Sequence, residues 1–76
     1  MEEKIRKILN DINEEIIMYE GSDLLEDKVI DSFEVMEIVA ALEESFNIEL
    51  DPDNIISENF ANMQSIIEMM KKCLEA

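Results

Sequence analysis

The chain has 76 residues, 47% of them apolar, and its 20 Asp and Glu against 6 Lys and Arg give a formal net charge of −14. This length predicts one domain, residues 1–76. One Gly cannot build a glycine-rich phosphate loop, and the lack of His removes the usual catalytic bases and zinc ligands, so we expect no enzyme activity. Because phosphate backbones repel so acidic a chain, we expect basic protein partners and no nucleic acid.

The cysteine count and the lengths of the apolar runs bear on location. Cys73 is the single cysteine, so no internal disulfide can form, which is typical of a reducing compartment. The longest apolar run covers residues 38–42, far too few to span a bilayer. We expect a cytoplasmic protein without membrane insertion, in which Cys73 packs against other side chains.

The first periodic segment predicts an amphipathic helix that ends near Gly21, with Gly21 as its C-cap. Its apolar residues recur at spacings of three and four and are Ile5, Ile8, Leu9, Ile12 and Ile16. An ordered but irregular loop is expected over residues 22–30. Its anchors in the core would be Leu24, Leu25 and Ile30.

A second helix is predicted from Asp31 to about Asn47, because Asp31 and Ser32 have the short oxygen-bearing side chains of helix N-caps. Its core-facing residues are Val35, Ile38, Val39, Leu42 and Phe46. Pro52 marks the connection that follows, with a short helical turn near residues 57–60. Inward contacts are expected from Ile48, Leu50, Ile55, Ile56 and Phe60.

The last helix is predicted to begin after Asn62, its candidate N-cap. Its apolar residues are Met63, Ile66, Ile67, Met70 and Leu74. Lys71 and Lys72 in its last turns suit the negative end of the helix dipole. No strand pattern competes with these helices, so the predicted fold is all-α, a small bundle of three main helices plus one short helix.

A second apolar stripe lies on another side of the second helix and is mixed with acids. We call it the docking stripe, and its residues are Phe33, Met36, Glu37, Ala40, Glu43 and Glu44. An apolar strip rimmed by charge of one sign is typical of a docking surface for a partner with hydrophobic pockets and basic residues. Residues 29–70 hold ten acids and no Lys or Arg, which would steer such partners. The structural alternative is that Phe33 and Met36 pack under the neighbouring loops.

The stretch from Asp31 to Phe46, D-S-F-E-V-M-E-I-V-A-A-L-E-E-S-F, resembles without gaps the Asp-Ser-Leu motif and following helix of acyl carrier proteins. Residues 47–50 and 58–60 continue the similarity, with a spacing closer to that of the D-alanine carrier proteins of cell-envelope modification. With the amphipathic first helix, the length and the acidity, the resemblance covers essentially the whole chain. Phe33 stands where leucine is commonest, which favours a stand-alone carrier in a specialised pathway over housekeeping fatty-acid synthesis.

The resemblance implies that a phosphopantetheinyl transferase attaches phosphopantetheine from coenzyme A to Ser32, with Asp31 as the motif residue beside it. The arm's thiol would hold an acyl or aminoacyl group as a thioester in fatty-acid or secondary-metabolite biosynthesis. An acyl- or aminoacyl-loading ligase and a downstream transferase, each with a basic docking surface, would meet the docking stripe. The carrier would be a monomer that performs no catalysis itself.

Several alternatives remain open at the level of sequence. Ser32 could serve only as a helix cap, and the chain could be an unmodified acidic interaction module, such as a decoy for a basic nucleic-acid-binding surface. Asp51, Asp53 and Glu58 do not have EF-hand spacing, since Ile55 takes the next alternate position, so we expect no metal site beyond weak divalent-cation binding. Within the carrier interpretation, acyl, D-alanyl, other aminoacyl and peptidyl cargoes all remain candidates.

Overall fold

The computed structural model describes residues 2–75, and within that range it contains helices, turns and loops without strands. The elements in chain order are α1 (Glu2–Ile12), α2 (Glu15–Met18), α3 (Ser32–Phe46), 3-10 turns at Pro52–Asn54 and Ser57–Phe60, and α4 (Met63–Glu75). The predicted all-α bundle of three main helices is confirmed, and so is the short turn near residues 57–60. No helix in the described range is long and apolar enough to cross a membrane.

The first predicted helix is interrupted at Asn13, so its predicted continuation to Gly21 is wrong. The Oδ1 atom of Asn13 accepts the backbone N–H of Glu15 at 3.0 Å, and its Nδ2 atom donates to the carbonyl oxygen of Val29 at 3.1 Å. Asn side chains can replace backbone hydrogen bonds in this way where a helix stops. The apolar pattern could not reveal the break, because helical spacing continues across it to the buried Ile16.

Gly21 lies in the loop after α2 and caps no helix. Its φ is not positive, but a Cβ atom there would collide with the hydroxyl and ring of Tyr19. The Tyr19 hydroxyl donates to Asp27 at 2.6 Å and accepts the backbone N–H of Asp23 at 2.7 Å. Desolvation and the bond to Asp27 raise the pKa of Tyr19. A side chain at residue 21 would therefore require the Tyr19 ring to move.

Both ends of α3 are capped. The Asp31 carboxylate accepts the backbone N–H of Glu34 at 2.8 Å, which confirms Asp31 as the N-cap. At the other end Asn47 has a φ of 53°, and the N–H of Ile48 donates to the carbonyl oxygen of Glu43 at 3.1 Å. This left-handed residue followed by a backward hydrogen bond forms a Schellman-type helix end.

α1 runs antiparallel to both α3 and α4. Near its amino end, Lys4 Nζ donates to the carbonyl oxygen of Ser45 at 2.8 Å and lies 4.8 Å from the ring centroid of Phe46. Glu2 pairs with Lys71 of α4 at 2.7 Å, and this contact lowers the pKa of Glu2 and raises that of Lys71. The carboxyl ends of α3 and α4 therefore meet the amino end of α1, and the first residue of α3 lies at the opposite end of the bundle.

Most of the apolar positions predicted for the three main helices are buried in the core. The others are partly buried and pack against it, and they are Ile8, Ile12, Phe46, Met63 and Leu74. Those buried are Ile5, Leu9, Ile16, Val35, Ile38, Val39, Leu42, Ile66, Ile67 and Met70. Leu24, Ile30, Leu50 and Phe60 are buried from the connections, as expected. The inward position predicted for Ile56 is wrong, because 46% of that residue is exposed. Cys73 packs against the core as predicted, and its Sγ accepts a 3.7 Å hydrogen bond from Asn54.

Candidate functional site

Ser32 is exposed at the first position of α3, immediately after the N-cap Asp31. The first N–H groups of any helix lack an intrahelical acceptor. Asp31 takes the N–H of Glu34, while the extended backbone of Asp31 turns the chain into the helix. The Ser32 hydroxyl is therefore accessible to solvent at a helix end whose partial positive charge favours an attached anion.

The loop before Ser32 is held from two sides. On one side the N–H of Leu24 donates to the carbonyl oxygen of Ala61 at 2.7 Å, and on the other Asn13 donates to the carbonyl oxygen of Val29. Ile30, two residues before Ser32, is only 2% exposed. Lys28 has a φ of 61°, so the chain adopts a left-handed turn just before this anchored section. These contacts fix where α3 begins.

An apolar groove opens next to Ser32, with a volume of about 260 Å³. Its apolar lining consists of Leu25, Val35, Met36, Ile55, Ile56 and Phe60. Ser32 and Ser57 supply the hydroxyls of the lining. Because the removal of apolar surface from water is favourable, the groove favours an apolar ligand or the apolar part of a larger one.

The docking stripe is largely exposed along α3. Phe33 is 73% and Met36 is 56% exposed, which excludes the alternative that they pack under the neighbouring loops. Glu37, Ala40 and Glu44 are exposed as well. α3 therefore presents apolar side chains and acids together on its solvent face, beginning beside Ser32.

Glu43 differs from the other residues of the docking stripe. It is partly buried, and its Oε2 atom accepts the backbone N–H of Leu50 at 2.8 Å. This bond ties the buried Leu50 to the last turns of α3. The Glu43 carboxylate thus fastens the connection after α3, a contact that helical spacing alone could not predict.

Ile56 enlarges the exposed apolar surface around Ser32 and was not predicted to do so. It lines the groove with Met36 and stands on the connection before α4, not on α3. The sequence shows two adjacent isoleucines before Ser57. In an extended pair one side chain faces inward and the other outward, but the sequence does not say which.

The acids of the connection form turns. Asp51 accepts the backbone N–H of Asp53 at 2.9 Å and so caps the turn Pro52–Asn54. In the part of the chain covered by residues 2–75, no group of three or more His, Cys, Asp or Glu is placed to hold a metal ion.

The amino end of α3 suits the group that the resemblance implies. An exposed hydroxyl can form a phosphodiester, the helix end favours its negative charge, and the adjacent groove offers apolar contact to an arm or its cargo. The neighbouring Asp31 carboxylate accepts the N–H of Glu34. It therefore does not occupy the Ser32 hydroxyl.

Comparisons with known proteins agree with this geometry. The family described as "Phosphopantetheine attachment site" matches residues 3–70. The acyl carrier protein of Buchnera aphidicola subsp. Baizongia pistaciae (strain Bp) is 39% identical over 75 residues, covering 95% of this chain and 92% of that protein. No solved structure matches the chain significantly. The chain therefore belongs to the acyl carrier protein family, whose members are non-catalytic carriers with a covalently attached phosphopantetheine arm.

Proposed function

We propose that Ser32 is the attachment residue and that the arm carries an acyl group as a thioester. The observation that carries this proposal is the exposed Ser32 hydroxyl at the start of α3, at the rim of an apolar groove. Asp31 supports it as the cap that fixes the first turn of the helix.

Attachment is a phosphoryl-group transfer in which Ser32 is the nucleophile. The Ser32 oxygen forms a phosphodiester bond, the phosphoanhydride bond of coenzyme A breaks, and adenosine 3′,5′-bisphosphate leaves. The hydroxyl proton passes to a base of the transferase. The carrier contributes an accessible hydroxyl, a helix end that tolerates the new negative charge and a surface on which the transferase docks.

The proposed cargo is an acyl group, and a D-alanyl group is the second candidate. The apolar lining of the groove and the similarity to a protein named acyl carrier protein support the first. The spacing of residues 47–50 and 58–60 supports the second. Loading the phosphopantetheine form with a fatty-acid ligase and, separately, with a D-alanine ligase, each with ATP, distinguishes the two by the mass of the product.

The proposed partners are a phosphopantetheinyl transferase, a loading ligase and a downstream acyltransferase, met by a monomeric carrier in the cytoplasm. Each partner is expected to present Lys or Arg around an apolar pocket. The exposure of Phe33, Met36 and Glu37 beside Ser32 supports this kind of contact.

The first experiment measures intact mass after incubation with coenzyme A, magnesium and a broad-specificity phosphopantetheinyl transferase. The parent should gain one phosphopantetheine and Ser32→Ala none. Ser57→Ala is the matched control, because Ser57 is another exposed serine on the same groove, and it should be modified like the parent. A folded parent that no transferase modifies would overturn the role of Ser32 and leave an acidic interaction module as the function.

A second experiment tests the docking stripe. Met36→Glu and Glu37→Lys should slow the modification of Ser32 while the helix content stays unchanged, because they alter contacts with the transferase and not the core. Met18→Glu and Glu3→Lys make the same changes at exposed positions outside the stripe. If all four variants react at the parent's rate, the docking stripe is not the docking surface.

A further inference from the structure

Asn13 connects the break between α1 and α2 to the loop that leads into α3. Both ends of its amide are used, since Oδ1 accepts from the N–H of Glu15 and Nδ2 donates to the carbonyl oxygen of Val29. The two partners fix the orientation of the amide, because an N–H needs an oxygen acceptor and a carbonyl needs a donor. The contact with Val29 spans sixteen residues and is partly buried.

The bonded carbonyl lies close to Ser32 along the chain. Ser32 is the third residue after Val29, a length of chain that reaches about 10 Å when extended. Between them, Ile30 is buried and Asp31 is committed to the cap of α3. The backbone from the Asn13 contact to the Ser32 hydroxyl is therefore held at each successive residue.

This contact depends on the break in the helix at Asn13. In a helix that continued through Asn13, the Asn13 side chain would face solvent or bond to its own helix. The hydrogen bond to the Val29 carbonyl would then be lost. Asn is suited to both tasks because one end of its amide accepts the N–H of Glu15 and the other donates to the Val29 carbonyl. Ala or Leu would keep the helical pattern and supply neither bond.

We propose that Asn13 is a positioning residue for the modification of Ser32: by holding the Val29 carbonyl, it fixes the chain that enters α3 and keeps the first turn, which carries the hydroxyl, in place. The inference rests on the proposed function of Ser32. It concerns the placement of the nucleophile and not its chemistry, since Asn13 belongs to another element. Small displacements of a reacting atom lower the rate of transfer strongly even when docking is intact.

Two variants remove the bond to Val29 in different ways. Asn13→Ser keeps a hydroxyl that can cap Glu15 but is too short to bridge to Val29. Asn13→Asp keeps the size and the cap but has no proton to donate to the carbonyl. With a phosphopantetheinyl transferase and coenzyme A, both should lower kcat for modification at least about fivefold. KM should stay within about twofold of the parent, because the docking stripe is unchanged.

Two controls separate positioning from general loss of stability. Asn10→Asp introduces the same charge at an exposed position of α1, and it should leave kcat unchanged. Ile67→Val trims a fully buried side chain of α4, and it should lower thermal stability without lowering kcat while the protein stays folded. Amide hydrogen exchange adds a structural readout. The N–H groups of Val29 and Ile30 donate to the Leu24 carbonyl, and their exchange should be faster in the two Asn13 variants and unchanged in the controls.

The outcomes distinguish this inference from the proposed function. A parent that is modified, with Asn13→Ser and Asn13→Asp as fast as the parent, would overturn the role of Asn13 alone. So would a loss of kcat that Ile67→Val reproduces at equal thermal stability. A folded parent that is never modified would overturn the function of Ser32, and the positioning role with it.

Discussion

Leu42 lies on the core side of α3 and is completely buried. Replacing it with Ala leaves a cavity among closely packed side chains, so Leu42→Ala should lower the free energy of unfolding by about 2–5 kcal/mol. Because small domains have about 5–15 kcal/mol in total, this is a large share of the stability, and the variant should unfold at a clearly lower urea concentration than the parent. Urea denaturation followed by circular dichroism measures the loss.

Ser45→Ala is the control for Leu42→Ala, since Ser45 is exposed on the same helix. It should change the free energy of unfolding by less than about 0.5 kcal/mol. A Leu42→Ala variant with the thermal transition of the parent would show that the core can do without this side chain.

The close approach of Tyr19 to Gly21 leads to a second prediction about a single residue. In Gly21→Ala the new methyl group must displace the Tyr19 ring, which breaks the hydrogen bonds to Asp23 and Asp27. The expected cost is about 1–2 kcal/mol in urea denaturation. Ser22→Ala, one position along the same loop, should be neutral. Equal stability of the two variants would mean that Tyr19 does not constrain residue 21.

Glu43 and Ile56 show what could not be predicted from the sequence. Glu43 has the helical spacing of the docking stripe, yet its carboxylate bonds the backbone of Leu50. That bond depends on how the chain returns after α3, and spacing within one helix does not contain this information. Ile56 is likewise exposed because of the local path of the connection. Periodicity assigns a face of a helix but does not assign a partner in another segment.

At the scale of elements, α3 was the most predictable part of the chain. Asp31 could be recognised as its cap because a short carboxylate at a helix start has a local purpose, and the core stripe from Val35 to Leu42 follows one period. The break at Asn13 was unpredictable for the opposite reason. It depends on a bond to Val29, sixteen residues away.

Two substitutions of Asn47 test how the carboxyl end of α3 is stabilised. Asn47 is left-handed, where a Cβ atom costs energy that glycine avoids. Asn47→Ala should therefore lower the free energy of unfolding by about 1 kcal/mol, and Asn47→Gly should leave it unchanged or raise it. Urea denaturation of both variants provides the measurement.

The control for Asn47 is a glycine inside the same helix. Ala40→Gly should lower stability, because Ala40 is exposed in the middle of α3 and an interior helical glycine is less favourable than alanine. If glycine is destabilising at both positions, the left-handed cap does not contribute to the end of α3.

At the scale of the whole molecule, most of the cations lie far from the Ser32 hydroxyl. Five of the six cations belong to the amino half of α1 and the last turns of α4, and they are Lys4, Arg6, Lys7, Lys71 and Lys72. Lys4 bonds Ser45, which lies about 20 Å along α3 from its first residue at 1.5 Å per residue. The acids of residues 29–70, a range without Lys or Arg, lie along α3 and in the segments after it, so the α3 side of the molecule is the side that a basic partner would approach.

This separation of charge predicts that salt acts on stability and on association in opposite directions. With a net charge of −14, the folded chain repels itself, and raising NaCl from about 20 mM to about 200 mM should raise the midpoint of thermal denaturation. The same screening should lower kcat/KM for phosphopantetheinyl transfer, because attraction to a basic transferase weakens. Glu37→Gln should reduce this salt dependence of kcat/KM more than Glu3→Gln, although both remove one charge, since only Glu37 lies on the docking stripe. Equal salt dependence in the two variants would mean that the transferase senses the total charge and not its placement along α3.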